Sequence, residues 1–279
     1  MPNSFLNARW LLVGLLTLTL WLVPGPIYGQ SRELTDAVDA FRTFYTEGKY
    51  EKALASAKTA LALGEEEFGP SHLTTALLIN NLAGLYVVQG RYANAAPLFK
   101  RALAIREGAL GPDHPSVAAI VNNLAELYRN QGNYAEAEPL YERAQSIAER
   151  AHGQVHPDVA ASLNNRALLH EAQGRYAAAE VLYESALEIY EQTLGPNHPN
   201  TALNLNNLAL LWYNQRRYGE AEPLYKRAFD ILEKELGPKH PLVANTLENY
   251  AALLRATNRA EEAEEMEARA TAIRAKRAK

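Results

Sequence analysis

The sequence predicts an all-α chain: a right-handed solenoid of about six stacked helical hairpins. Three ladders of residues, each with a step of 42, predict it. Gly-x-x-His recurs at Gly69/His72, Gly111/His114, Gly153/His156, Gly195/His198 and Gly237/His240. Paired amides recur at Asn80-Asn81, Asn122-Asn123, Asn164-Asn165 and Asn206-Asn207, and Glu248-Asn249 closes that series. A turn ladder runs Gly48, Gly90, Gly132, Gly174, then Arg216 and Asn258. Three markers in one register mean one supersecondary unit written repeatedly, because a period of 20–50 residues is the signature of stacked units.

Each unit reads as two helices. Val117, Val121, Leu124 and Tyr128 fall 4, 3 and 4 apart, and Ala137, Leu140, Tyr141, Ala144 and Ile147 fall 3, 1, 3 and 3 apart. Both are helical periods. Asn130-Gln131-Gly132-Asn133 between them ends a helix, with Gly132 where left-handed backbone costs little. Gly111-Pro112-Asp113-His114-Pro115 stops one helix and starts the next, since proline suits the first helical position and not the interior. Small Ala125, Ala137 and Ala144 let backbones approach, and Tyr128 and Tyr141 fill the remaining volume. One hairpin cannot bury its apolar face alone, so the hairpins stack. Their expected limits are 34–67, 73–109, 115–151, 157–193, 199–235 and 241–276.

These hairpins occupy residues 30–279; the start of the chain is different. Arg9 is the only charge before Arg32, and an apolar run from Trp10 to Val23 follows it. That run is shorter than the roughly 20 residues that span a bilayer, but it fits the hydrophobic region of a secretory signal. Pro24, Gly25 and Pro26 break it, and a cut after Gly29 is expected, so residues 1–29 read as a signal peptide and the mature chain as periplasmic or secreted. The alternative is an uncleaved anchor at 10–23, which also exports the remainder and would be the chain's sole membrane contact.

Composition removes whole classes of function. With no cysteine in 279 residues, zinc fingers, thiolate nucleophiles, iron–sulfur clusters and disulfide scaffolds are excluded. A net charge of −4 provides no field for the phosphate backbone, so no nucleic-acid partner is expected. No nucleophile–base pair, phosphate-cradling glycine loop or paired-carboxylate motif stands outside the repeat. The chain is therefore read as a non-enzyme with no catalytic residue, cofactor or metal.

The helix–turn–helix with alanines and aromatics at Ala125/Tyr128, Ala137/Tyr141 and Ala144 resembles the tetratricopeptide repeat. Asn-Asn-Leu-Ala-x-Leu-Tyr, Gln-Gly-x-Tyr-x-x-Ala-Glu-Pro-Leu-Tyr and Gly-Pro-x-His-Pro at a 42-residue spacing are most similar to its kinesin-light-chain type. The resemblance runs from about Leu34 to Ile273. It implies a scaffold for a protein or peptide partner, with first-helix asparagines lining a concave groove that grips a peptide main chain.

The amide ladder needs an explanation beyond packing, because asparagine costs about 0.5–0.7 kcal/mol against alanine inside a helix. An amide offers a donor and an acceptor together and so pairs with any peptide bond. Asn80, Asn81, Asn122, Asn123, Asn164, Asn165, Asn206, Asn207 and Asn249 are accordingly the candidate peptide-binding residues, with Arg129 and Tyr213. Two roles stand open: binding in the groove, or bonding the neighbouring hairpin to fix the stack. One division gives the first amide of a pair to the groove and the second to the stack. The lining is amide plus aliphatic, including Leu77, Leu203 and Leu210. Its only guanidiniums are Arg129 and Arg255, which favours an internal, mildly apolar segment over an acidic chain terminus. A purely structural spacer in an envelope assembly is the alternative function.

The recurring histidines do not suggest a metal, since one ligand per hairpin leaves copies about 10 Å apart. They are expected to cap the helices that follow. His152, His156 and Asp158 are near one another in sequence, but the trio is given no metal role. Residues 157–193 depart furthest from the pattern, with Arg166 where other units have leucine or Tyr250, and His170 where Tyr86, Tyr128 and Trp212 stand. Arg166 is expected to lay its stem along apolar surface; the sharper reading makes this hairpin a ligand-responsive hinge. In the last helix acidic residues come first and basic residues last, complementing the helix dipole.

Overall fold

The computed structural model describes residues 31–275. Expectations for residues 1–29, including the apolar run 10–23, and for the last four residues lie outside it. Among the described residues there are twelve α-helices and no strand. The described residues divide into two compact units, the first ending at Ala151 and the second beginning at His152.

The first unit contains α1 (Arg32–Thr46), α2 (Tyr50–Phe68), α3 (Leu73–Val88), α4 (Tyr92–Leu110), α5 (Pro115–Asn130) and α6 (Tyr134–His152, whose last residue opens the second unit). Consecutive helices pack antiparallel in pairs, and α3 also touches α5. The second unit contains α7 (Pro157–Ala172), α8 (Tyr176–Thr193), α9 (Pro199–Asn214), α10 (Tyr218–Leu236), α11 (Pro241–Ala256) and α12 (Ala260–Ala275), with α9 touching α11. From α3 onward the first helix of a hairpin is buried on most sides, whereas α1 and the second helices keep an exposed face.

The repeat pattern explains this packing. Ala83, Ala125, Ala167, Ala209 and Ala251 on first helices are fully buried, as are Ala95, Ala137, Ala179, Ala221 and Ala263 on second helices. Missing side-chain volume at these positions lets the helices approach, and the gaps between them take Phe99, Tyr141, Tyr183 and Tyr225, each almost entirely shielded from solvent.

Each turn within a hairpin closes with the same bond. The N–H after the left-handed residue donates to a carbonyl five residues back: Arg91 to Tyr86 at 2.8 Å, Asn133 to Tyr128 at 2.9 Å, Arg217 to Trp212 at 2.9 Å. This is the Schellman arrangement, and it demands positive φ at the preceding position. Glycine supplies it at Gly90 and Gly132, but Arg216 adopts φ 63° and Asn258 φ 62°. The geometry is thus retained where the permissive residue is lost, at a cost concentrated in Arg216.

The loops between hairpins are held by the histidines. Nδ1 of His72, His114, His156, His198 and His240 accepts the backbone N–H two residues ahead, at 3.1, 3.2, 3.2, 3.1 and 3.3 Å. An imidazole nitrogen here does the work of the usual serine or aspartate cap.

A further ladder on the second helices escaped the sequence reading. Arg101 pairs with Glu65 and donates to the Pro70 carbonyl; Arg143 does so with Glu107 and Pro112; Arg227 with Glu191 and Pro196. Arg269 with Glu233 continues the ion-pair series. Arg101, Arg143 and Arg227 thus each tie a second helix to both the preceding second helix and the loop that follows it. In the same column stands Ser185, and Glu149 bonds within its own helix to Gln145 at 2.6 Å.

The second unit adds carboxylates that reach the next hairpin. Glu180 accepts from Trp212 Nε1 and Arg217, both at 2.8 Å. One repeat on, Glu222 pairs with Lys226 at 2.8 Å and accepts from Arg259 at 2.7 Å and from the Tyr250 hydroxyl at 3.0 Å. Lys226 and then Arg259 hold the Glu222 carboxyl down at about 2.

In the departing hairpin Arg166 is half-buried and His170 buried. No helix among the described residues is long and apolar enough to cross a membrane.

Two stability measurements check these assignments. Arg216→Gly is expected to raise unfolding free energy by about 1 kcal/mol in urea titration, because glycine adopts the left-handed turn without the Cβ penalty. A folded-state carboxylate held below its ordinary value stabilises above that value and ceases to do so as pH falls through the folded one. Stability should therefore drop between pH 4.5 and about 2. Glu222→Gln should flatten that part of the acid-unfolding curve.

Candidate functional site

The amide pairs lie midway along α3, α5, α7 and α9, and Asn249 on α11. Within the first unit Asn123 Nδ2 donates to Asn80 Oδ1 at 2.9 Å, with both residues buried. In the second unit Asn207 Nδ2 donates to Asn164 Oδ1 at 3.0 Å, Asn204 Nδ2 reaches the same oxygen at 3.4 Å, and Asn249 Nδ2 donates to Asn206 Oδ1 at 3.2 Å. In three of these bonds an amide on one first helix donates to the amide 43 residues earlier, on the preceding one. Part of the ladder therefore joins adjoining hairpins.

The expected division, first amide for the groove and second for the stack, is not how the bonds fall, since each bond uses a first member as acceptor and a second as donor. What differs within a pair is commitment. Asn80 is bonded while half-buried Asn81 makes no hydrogen bond among the described residues; Asn123 is bonded and half-buried Asn122 is not; Asn164 is bonded and buried Asn165 is not. Asn122 Oδ1 is itself out of solvent without a partner among these residues. In the fourth pair, Asn206 and Asn207 are both buried and both bonded.

Arg129 is buried, its guanidinium 3.9 Å from Glu126 on the same helix and hydrogen-bonded to the Tyr141 hydroxyl. Burial pushes the Glu126 carboxyl above its ordinary value, and Arg129 opposes the shift. Burial likewise pushes the Tyr141 hydroxyl up. Charge is thus packed inside the first unit at a position expected to line a groove. In the second unit Glu171 accepts from Asn214 at 3.0 Å and from the Tyr183 hydroxyl at 3.2 Å. Tyr213 is half-buried with its ring 5.6 Å from that of Tyr218, and Leu203 and Leu210 nearby on the same helix are half-buried as well.

Among the described residues one group of potential metal ligands converges, His152, His156 and Asp158, to which the sequence gives no metal role.

The tetratricopeptide repeat model matches residues 42–108, 74–150, 116–192, 158–216 and 204–276. The chain belongs to the tetratricopeptide repeat family. That fold is typically a non-catalytic scaffold for protein–protein contact. Solved structures place the repeats near the kinesin-light-chain type. BtubC (BKLC) from P. vanneervenii is 25% identical with TM-score 0.60, the match covering 85% of this chain and 91% of that one. The nearly identical TPR-like repeats assigned to a kinesin light chain of Podosopora anserina are 28% identical with TM-score 0.56, covering 74% and 97%. PilW, a type IV pilus biogenesis factor, shares the fold at 20% identity and TM-score 0.56, covering 87% and 94%. No curated protein matches the chain.

A double-mutant cycle checks the amide bond. Asn80→Ala and Asn123→Ala should each cost about 1–3 kcal/mol, by leaving a buried amide unsatisfied. The double variant should cost less than their sum by at least about 0.5 kcal/mol.

Proposed function

We propose that this tetratricopeptide repeat chain is an exported scaffold that receives a protein or extended peptide on the concave, amide-bearing face of its first helices, without catalysis. The observation that carries the reading is the split within the pairs. Asn80, Asn123 and Asn164 close the stack, whereas Asn81, Asn122 and Asn165 have no hydrogen bond among the described residues. A shielded amide without a partner is about 1–3 kcal/mol less favourable than a bonded one, and a peptide group laid against it would recover that difference. Half-buried Leu77, Leu203, Leu210 and Tyr213 suit a ligand with modest apolar side chains. Arg129 enters this reading from beneath the surface: it is packed against Glu126 and Tyr141 and supports the first-unit face.

Export rests on the amino-terminal pattern: a single arginine, a 14-residue apolar run and a Pro-Gly-Pro break. Cleavage after Gly29 releases the repeats to the periplasm or medium; retention of residues 10–23 leaves them membrane-anchored on the same side.

In-cell crosslinking of wild type and of Asn81→Ala/Asn122→Ala/Tyr213→Ala in the exported fraction tests the proposal. Asn81, Asn122 and Tyr213 take no part in the amide-to-amide bonds of the stack. Partners captured by wild type should be lost from the variant while helicity and melting temperature hold. Capture of every partner by the variant would favour the spacer function instead, and an intact mass in that fraction that begins at Gln30 establishes cleavage.

A further inference from the structure

We propose that His152, His156 and Asp158 form a site for one borderline divalent cation, such as Zn2+, at the loop that leads into α7. Their ligating atoms all lie within 4.8 Å of one another. His152 Nε2 is 3.4 Å from Asp158 Oδ2, and His156 Nδ1 is 3.7 Å from the same oxygen. Ligands at about 2.0–2.1 Å around a tetrahedral ion stand about 3.3–3.4 Å apart, so one edge of the polyhedron is already formed. The two imidazoles lie face to face, with ring centres 4.0 Å apart and planes 16° from parallel. The exposed His152 ring is free to turn a nitrogen toward the ion, and half-buried His156 offers Nε2, or Nδ1 once its cap on the Asp158 N–H is released. Two imidazoles and a carboxylate make a set suited to zinc, nickel or copper rather than magnesium, with positions left for water.

The repeat does not account for two of these residues. His152 stands in the column of Leu110, Leu194 and Leu236, and Asp158 in the column of Thr74, Ser116, Asn200 and Leu242. The intervening loop departs too, with Gln154 in the column of Pro70, Pro112, Pro196 and Pro238. His156 takes φ −149°, while the other four capping histidines lie between −80° and −70°. A helix-terminal leucine has thus been exchanged for an imidazole at the one loop where a carboxylate waits 3.4 Å away. His156 is shared with the cap on the Asp158 N–H, which leaves His152 and Asp158 as the ligands whose removal is diagnostic.

The competing account is a plain ion pair, with His152 at a helix C-terminus and Asp158 in a first turn, each at the end its charge favours. Calorimetric titration of the untagged full chain with zinc chloride, in excess magnesium, separates the two. The site predicts saturable binding of one ion per chain. His152→Ala and Asp158→Asn should each weaken it by about tenfold or more, with far-ultraviolet dichroism unchanged. Absence of stoichiometric binding, or equal binding by wild type and both variants through the remaining histidines, would overturn the proposal.

Discussion

The architecture rests on close approach of helix backbones at columns of alanine. Ala83, Ala125, Ala167, Ala209 and Ala251 are fully buried, and none could be larger without forcing apart the helices that meet there. The aromatics of the second helices fill the space this leaves, and the histidine caps and Schellman turns fix where each helix begins and ends. Because the first helices from α3 onward are clasped on most sides, several of their polar side chains pair with one another across adjoining hairpins. The amide ladder follows from that confinement.

Much of this was legible at the period of the sequence. Gly48, Gly90, Gly132 and Gly174 marked turns that require positive φ, and Arg216 and Asn258 in the same column adopt it as well, so position in the repeat outweighs residue type. The histidine ladder could be assigned to capping because a cap needs only its own loop. The Arg101–Glu65 and Arg143–Glu107 series was harder to see. Each bond links two columns 36 residues apart, and an offset between columns is set by how hairpins stack rather than by either column alone.

The candidate site shows the same boundary between pattern and geometry. That amides recur was plain, but which member of each pair bonds its neighbour depends on rotation of the helix by a fraction of a turn. Arg129 was placed on the lining by its helical phase, yet it is packed with Glu126 and Tyr141, because a guanidinium can fold back along its own helix. The His152, His156 and Asp158 group carries little weight in the sequence, where no third histidine stands near it; that these three converge is set by the loop's geometry, which the spacing does not show.

The amide bonds also have a sense along the chain: donor on the later hairpin, acceptor on the earlier one. Duplicating or excising a stretch of 42 residues, or a multiple of it, would keep the amide columns in register, whereas any other change of length would take them out of it. Such an array can lengthen or shorten by whole modules with its columns kept in register, and columns shared at one spacing are what growth by tandem copying would leave behind.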